Sequence, residues 1–157
     1  MAVSKAAVRG VTLAQATIIV DHALELARAK KLRPMTLAVV DAGGDLVAFK
    51  REDHTGIRRY EVAYGKAFAA LVMNRSSRAI GAIGAANPLF VQSLVTVTGA
   101  HMVPTPGGVL IKNAEGYIIG AVGSSGDEAH EDEAIAIAAV RAAGLVPEPE
   151  DVQGAGH

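Results

Sequence analysis

Two β-rich runs, each folded back on itself by turn-forming residues, constrain this chain more than anything else in it. Thr36–Val40 runs into Asp41-Ala42-Gly43-Gly44-Asp45 and returns as Leu46–Lys50; Val109–Lys112 runs into Asn113–Gly116 and returns as Tyr117–Val122. Apolar, β-branched stretches separated by Asp, Asn and Gly are the pattern of a β-hairpin, because those turn residues accept left-handed backbone. The Asp41/Asp45 pair reads most simply as turn capping. Hairpins make neighbouring antiparallel strands. A doubly wound parallel sheet is therefore disfavoured, and a small antiparallel sheet flanked by helices is expected.

The segments around the hairpins carry helical spacing. Leu13, Ala16, Val20, Leu24 and Ala27 form one stripe behind the capping-box pair Thr12 and Gln15. Arg28, Lys30, Lys31 and Arg33 crowd its end, where cations complement the helix dipole, and Pro34 stops it. A second helix is predicted over Ile57–Asn74. Tyr60, Ala63, Tyr64, Ala67, Phe68 and Leu71 make its main apolar stripe, and Val62, Ala69, Ala70 and Met73 an apolar rear. A helix apolar on two sides is covered on two sides, and a second subunit is the expected cover of the rear. Ser76–Ala85 reads as a short helix. Leu89–Thr98 fits a strand by its Val and Thr content and a helix by its place before Gly99. Asp127–Ala143 is a final helix ended by Gly144. Residues 1–146 then make a single domain, with 147–157 as a flexible acidic tail.

Composition narrows the function classes. A chain of 157 residues, half of them hydrophobic, can build one core without staples. It has no cysteine, which excludes disulfides, thiolate metal sites and a cysteine nucleophile. Fifteen Lys and Arg against sixteen Asp and Glu give no field for nucleic acid, and six aromatics without Trp give no base-stacking platform. No apolar run approaches the roughly 18 residues of a membrane span. The opening MAVSKAAVRG lacks the apolar stretch of a secretory signal, so the cytoplasm is expected.

Four places could carry chemistry. Gly123-Ser124-Ser125-Gly126, between a strand and a helix, could present N–H groups and a positive helix end to a carboxylate; the plainer reading is a capped helix. Asp127, Glu128, Glu131, Asp132 and Glu133 would repel a phosphate there. Lys66 has Val62, Ala63, Ala69 and Ala70 as helix neighbours. Desolvation there would favour amine chemistry or anion pairing, with snorkelling or a salt bridge to another subunit as the alternative. Arg51-Glu52-Asp53-His54 could set a cation, a carboxylate and an imidazole on one pocket rim, and His101 stands close to the Pro106-Gly107-Gly108 loop. His130 and Glu133 share a helix face but lack further ligands for a metal, and Ser125 has no nucleophile-elbow context.

As an ordered set, several of these segments resemble the GlcG-like proteins, also called the HbpS-like or haem-degrading domain family, over about residues 10 to 145. They are VTLAQA at Val11–Ala16, LAVVDAGGDLVAF at Leu37–Phe49, Lys66-Ala67, PGGVLI at Pro106–Ile111, GAVGSSGD at Gly120–Asp127 and Asp132-Glu133-Ala134. The resemblance implies a three-layer α-β-α sandwich around an antiparallel five-stranded sheet, similar to profilin and PAS domains. It also implies homo-oligomers, with haem or a small organic carboxylate as ligand and haem as the cofactor to test. Two functions stay open. In a binding protein, Lys66 and Arg51 pair with carboxylates, and His101, Gly107, Gly108, Ser124, Ser125 and Gly126 complete the site. In a catabolic lyase, isomerase or hydrolase for a small oxygenated acid, Lys66 or His54 transfers a proton and Asp53 orients it. The two separate on whether Lys66 and His54 converge in one enclosed cleft.

Overall fold

The computed structural model describes residues 10–152. Thr12 caps the first helix, α1 (Leu13–Ala29): its hydroxyl accepts from Gln15 N at 3.2 Å and Gln15 Oε1 accepts from Thr12 N at 3.0 Å. The first hairpin is β1 (Thr36–Asp41) and β2 (Leu46–Arg51). Asp41 Oδ1 accepts from Gly43 N and Asp45 N, so of the acidic pair it is the Asp41 carboxylate that caps the turn. Three helices follow: α2 (Arg59–Met73), α3 (Ser77–Ala86) and α4 (Pro88–Val97). The segment left open between strand and helix is thus α4, because Asn87 caps it and Pro88 supplies a first-turn residue with no N–H to satisfy. The second hairpin is β3 (Gly108–Lys112) and β4 (Ile118–Ser125), followed by α5 (Ala129–Ala142) and β5 (Val146–Glu148).

All pairings are antiparallel, in the order β2-β1-β4-β3-β5. The stretch expected as a tail therefore begins with the fifth strand: Pro147 sits opposite Ile111 at a sheet edge, where a proline costs no ladder bond, and Lys112 pairs with Glu148. Residues 153–157 lie outside the described residues. Leu37, Val39, Val109, Ile111 and Val122 pack on one face against α1 and α5. Val40, Leu110 and Ala121 pack on the other against Ala67 and Ala70 of α2. The result is the α-β-α sandwich.

One expectation changes and another gains detail. The rear of α2 is covered by its own chain, since Ala69 is buried with Ile80, Val91 and Met102 and beside Met73, Ile83 and Leu94. The apolar surface is passed outward instead: Val91 is the one buried residue of α4, while Leu89 and Val97 are 73% and 77% exposed. No Asp, Glu, Lys or Arg occurs between Arg78 and Lys112. The basic end of α1 has specific partners as well, because Lys30 pairs with Glu131, and Arg33 with Asp127 and Glu128. Hydrogen bonds from the N–H groups of Arg33 and Glu128, together with the Arg33 side chain, hold the Asp127 carboxyl down at about 2.

Candidate functional site

Along α2 the apolar stripe splits into two rows with different work. Ala63, Ala67 and Ala70 are small and face the sheet. Tyr60, Tyr64 and Phe68, each four residues apart, form an aromatic row beside them. Phe49 on β2 meets Tyr60 edge-on with ring centroids 5.2 Å apart. Tyr60 and Tyr64 are 5.9 Å apart, and Tyr64 stacks on Phe68 at 5.8 Å. His101 closes the series, edge-on to Phe68 at 6.0 Å. Tyr60 and Tyr64 of the row form one wall of a groove of about 580 Å³, which Val62, Val103 and His101 also line, with Arg58 and Glu61 as its charged members.

The position of His101 follows from three local features. Gly99 and Ala100 turn the chain at φ of +75° and +62°. Val103 N then bonds Gly65 O at 3.0 Å, tying the segment to α2. Gly65 permits that approach, because a Cβ there would stand 2.7 Å from His101 O and 2.6 Å from the Val103 side chain. At the other end Arg58, also left-handed at φ +64°, pairs with Glu61 at 2.7 Å. Tyr64 is anchored by donating to Gly44 O at 3.1 Å. Burial, with Tyr60 and Asp45 nearby, pushes its hydroxyl above the usual tyrosine range.

The other residues singled out from the sequence lie in two further places. Lys66 is buried, its ammonium 2.9 Å from Asp132 Oδ2 and 2.9 Å from Ser124 O. Gly107 and Gly108 pack against it, since a Cβ at Gly107 would stand 2.9 Å from Lys66 Nζ. Gly123, Ser124 and Ser125 belong to β4 rather than to a turn, because β4 is paired on both sides and its ladder extends through Ser125. Ser124 N donates to Gly107 O, and beyond Gly126 the N–H of Asp127 is taken by Asp132 Oδ1. Arg51, Asp53 and His54 line a separate open cavity of about 470 Å³ with Arg28, Pro34 and Glu52. Lys66 and His54 share no cleft. Among the described residues no group of three or more His, Asp or Glu could hold a metal ion, and no helix is long and apolar enough to cross a membrane.

An α-β-α sandwich that leaves an aromatic, histidine-ended groove along its central helix is the frame of a small-molecule-binding domain. The chain belongs to the family of haem-degrading proteins described as HbpS-like, whose model matches residues 11–141. It is similar in structure to a PduOC:heme complex, with a TM-score of 0.77 and 23% identity over 87% of this chain and 96% of that one. The Klebsiella pneumoniae protein ORFY matches at TM-score 0.77 and 23% identity, over 92% and 97% of the two chains. A double mutant of Streptomyces reticuli HbpS matches at TM-score 0.71 and 25% identity, over 90% and 89%. Among curated protein sequences, none matches the chain.

Proposed function

We propose that the chain is a binding protein for a tetrapyrrole of the haem class, held in the α2 groove with His101 as the nitrogen donor to its iron. The observation that carries this reading is that Tyr60 and Tyr64, packed between Phe49 and Phe68 in one aromatic series, line a groove that His101 also lines. A flat conjugated ligand gains most from an aromatic wall, an imidazole is a common axial ligand, and Arg58 can exchange Glu61 for a ligand carboxylate. The groove volume lies within the range of small-molecule sites. Family membership and the heme complex of a structural relative support the same ligand class. Haem supplies iron-centred ligand and redox chemistry when bound; the residues of the chain orient it, exclude water from one face and neutralise a carboxylate.

The reading as an acid–base enzyme is less favoured, because Lys66 is spent on Asp132 and lies away from His54. Haemin titrated into the purified chain should give a saturable Soret shift. His101→Ala should weaken binding tenfold or more, as loss of a metal-site contact does, while His54→Ala leaves it unchanged. A shift that never saturates, or one lost in His54→Ala and kept in His101→Ala, would sink this assignment.

We further infer that the chain self-associates through the outer face of α4. Its support is the charge-free stretch between Arg78 and Lys112 together with the exposure of Leu89, Phe90 and Val97. Light scattering should return a multiple of the chain mass, reduced by Leu89→Glu with Val97→Glu. A monomer mass for the parent chain rules the interface out.

A further inference from the structure

Where the connection between β2 and α2, residues 52–58, meets the start of β1, two buried hydroxyls have no partner and a partly buried guanidinium has one. Arg59 is partly buried, yet its guanidinium reaches one neutral partner, Ser125 Oγ at 3.1 Å, and no carboxylate among the described residues. Ser125 is fully buried, and the β1–β4 pairing sets Thr36, also fully buried, directly opposite. Thr36 Oγ1 has no partner, and neither does Thr55 Oγ1 in the connection itself. The next residue lies over the guanidinium, since a Cβ at Gly56 would stand 3.6 Å from Arg59 Nε. At the same end α2 begins without a side-chain cap. His54 and Arg58 hold the connection at φ of +67° and +64°, backbone that residues other than glycine seldom carry.

A buried hydroxyl without a partner costs about 1–3 kcal/mol, and a guanidinium has five donors to satisfy. Two unfilled hydroxyls, one opposite the Ser125 that Arg59 reaches and one beside the Gly56 that lies against its guanidinium, therefore call for an occupant that bonds with all three. Arg59 is the cation among them. Arg51, opposite Thr36 on β2, stands at the rim of the neighbouring cavity, where Asp53 offsets it, and Glu52 is taken by Arg28 and Met35 N. One net positive charge with neutral hydroxyls matches a monoanion. A dianion would keep an uncompensated charge beside Asp53 and Glu52.

We propose that this is a binding site for a small monocarboxylate, which Arg59 holds through charge-assisted hydrogen bonds while the hydroxyls of Thr36 and Thr55 complete its shell. None of these residues lines the aromatic groove, so the site is independent of the groove and its ligand.

Acetate titrated into the chain should move the Arg59 Nε–H resonance saturably. Acetate affinity should fall about tenfold or more in Arg59→Gln, the expected loss for a charged hydrogen bond. Thr36→Val keeps the shape and removes the hydroxyl. It should weaken acetate several-fold and raise the melting temperature of the acetate-free chain. Neither substitution should alter the haemin titration, so this site and the groove fail or stand separately. A non-saturating shift, acetate affinity unchanged in Arg59→Gln, or inorganic phosphate binding as tightly as acetate overturns the proposal. A Thr36→Val chain that melts below the parent also overturns it, because the hydroxyl then already has a partner. Should Arg59→Gln not fold, Arg59→Lys, which keeps the charge and loses the fork, is judged by the same acetate measurement.

Discussion

Lys66→Met should lower unfolding free energy by about 3–5 kcal/mol, the usual result of stranding one member of a buried ion pair. Lys66 and Asp132 are 4% and 3% exposed, and they join layers that lie on opposite faces of the sheet. The lysine stem leaves α2, passes Gly107 and reaches α5. Arg78 of α3 makes the parallel connection to buried Glu133 of α5 at 3.2 Å. Burial already pushes the Asp132 carboxyl up, against the downward pull of Lys66 and of the Asp127 and Gly126 N–H groups. Without Lys66 the folded chain would hold the Asp132 proton to higher pH than the unfolded chain does. The deficit of the variant should therefore grow as pH rises through the folded-state value and shrink as pH falls toward the unfolded one. The double variant Lys66→Met with Asp132→Asn should recover most of the loss, since the amide oxygen can still accept from Asp127 N and no charge is left buried. Urea denaturation across a pH series measures all three chains. A single-variant loss below about 1 kcal/mol would refute the pair as a staple between layers.

Gly123→Ala should be worse, with a loss above about 3 kcal/mol or failure to fold. Gly123 on β4 and Gly108 on β3 are register partners on the face that carries α2. A Cβ at Gly123 would stand 1.7 Å from Ala63 O, and one at Gly108 would stand 2.1 Å from Lys66 O. Both obstacles are helix backbone, which cannot rotate away as a side chain can. The helix would have to lift, separating Ala67 and Ala70 from Val40, Leu110 and Ala121. Circular dichroism and calorimetry of Gly123→Ala read the outcome, with Gly43→Ala, whose nearest neighbour is the Asp41 side chain at 3.3 Å, as the milder comparison. A variant melting within a few degrees of the parent would show that α2 can sit higher.

What the sequence made legible was what local chemistry decides. The capping box, both hairpin turns and the Pro-Gly loop depend on residues a few positions apart, and each occurs where the spacing put it. The same reasoning could not choose between strand and helix for Leu89–Thr98, because a run with so many Val and Thr residues satisfies both until α3 is there to pack on it. It also stopped β4 too early. Gly123, Ser124 and Ser125 look like a turn, and only pairing with β1 and β3 makes them a strand. The groove was half visible. Tyr60, Tyr64 and Phe68 stand in the main apolar stripe of the second helix; the missed signal is that large aromatics and small alanines occupy two adjacent rows of it. His101 was named, but its place at the end of that row depends on Gly65 and on a contact across 36 positions of chain, which no local pattern encodes.

Where α2 is seated on Gly108 and Gly123, no side chain lies between helix and sheet to deform. Interlayer side chains normally act as a compliant cushion, changing rotamer to let a helix shift by an ångström or so. Here the contact at Gly108 and Gly123 is backbone on backbone, so α2 behaves as a fixed rail along that line. The aromatic wall it carries is correspondingly stiff. Any give during ligand entry falls to the segments at its two ends, around Arg58 and around Ala100–His101, in both of which a residue other than glycine holds a left-handed backbone.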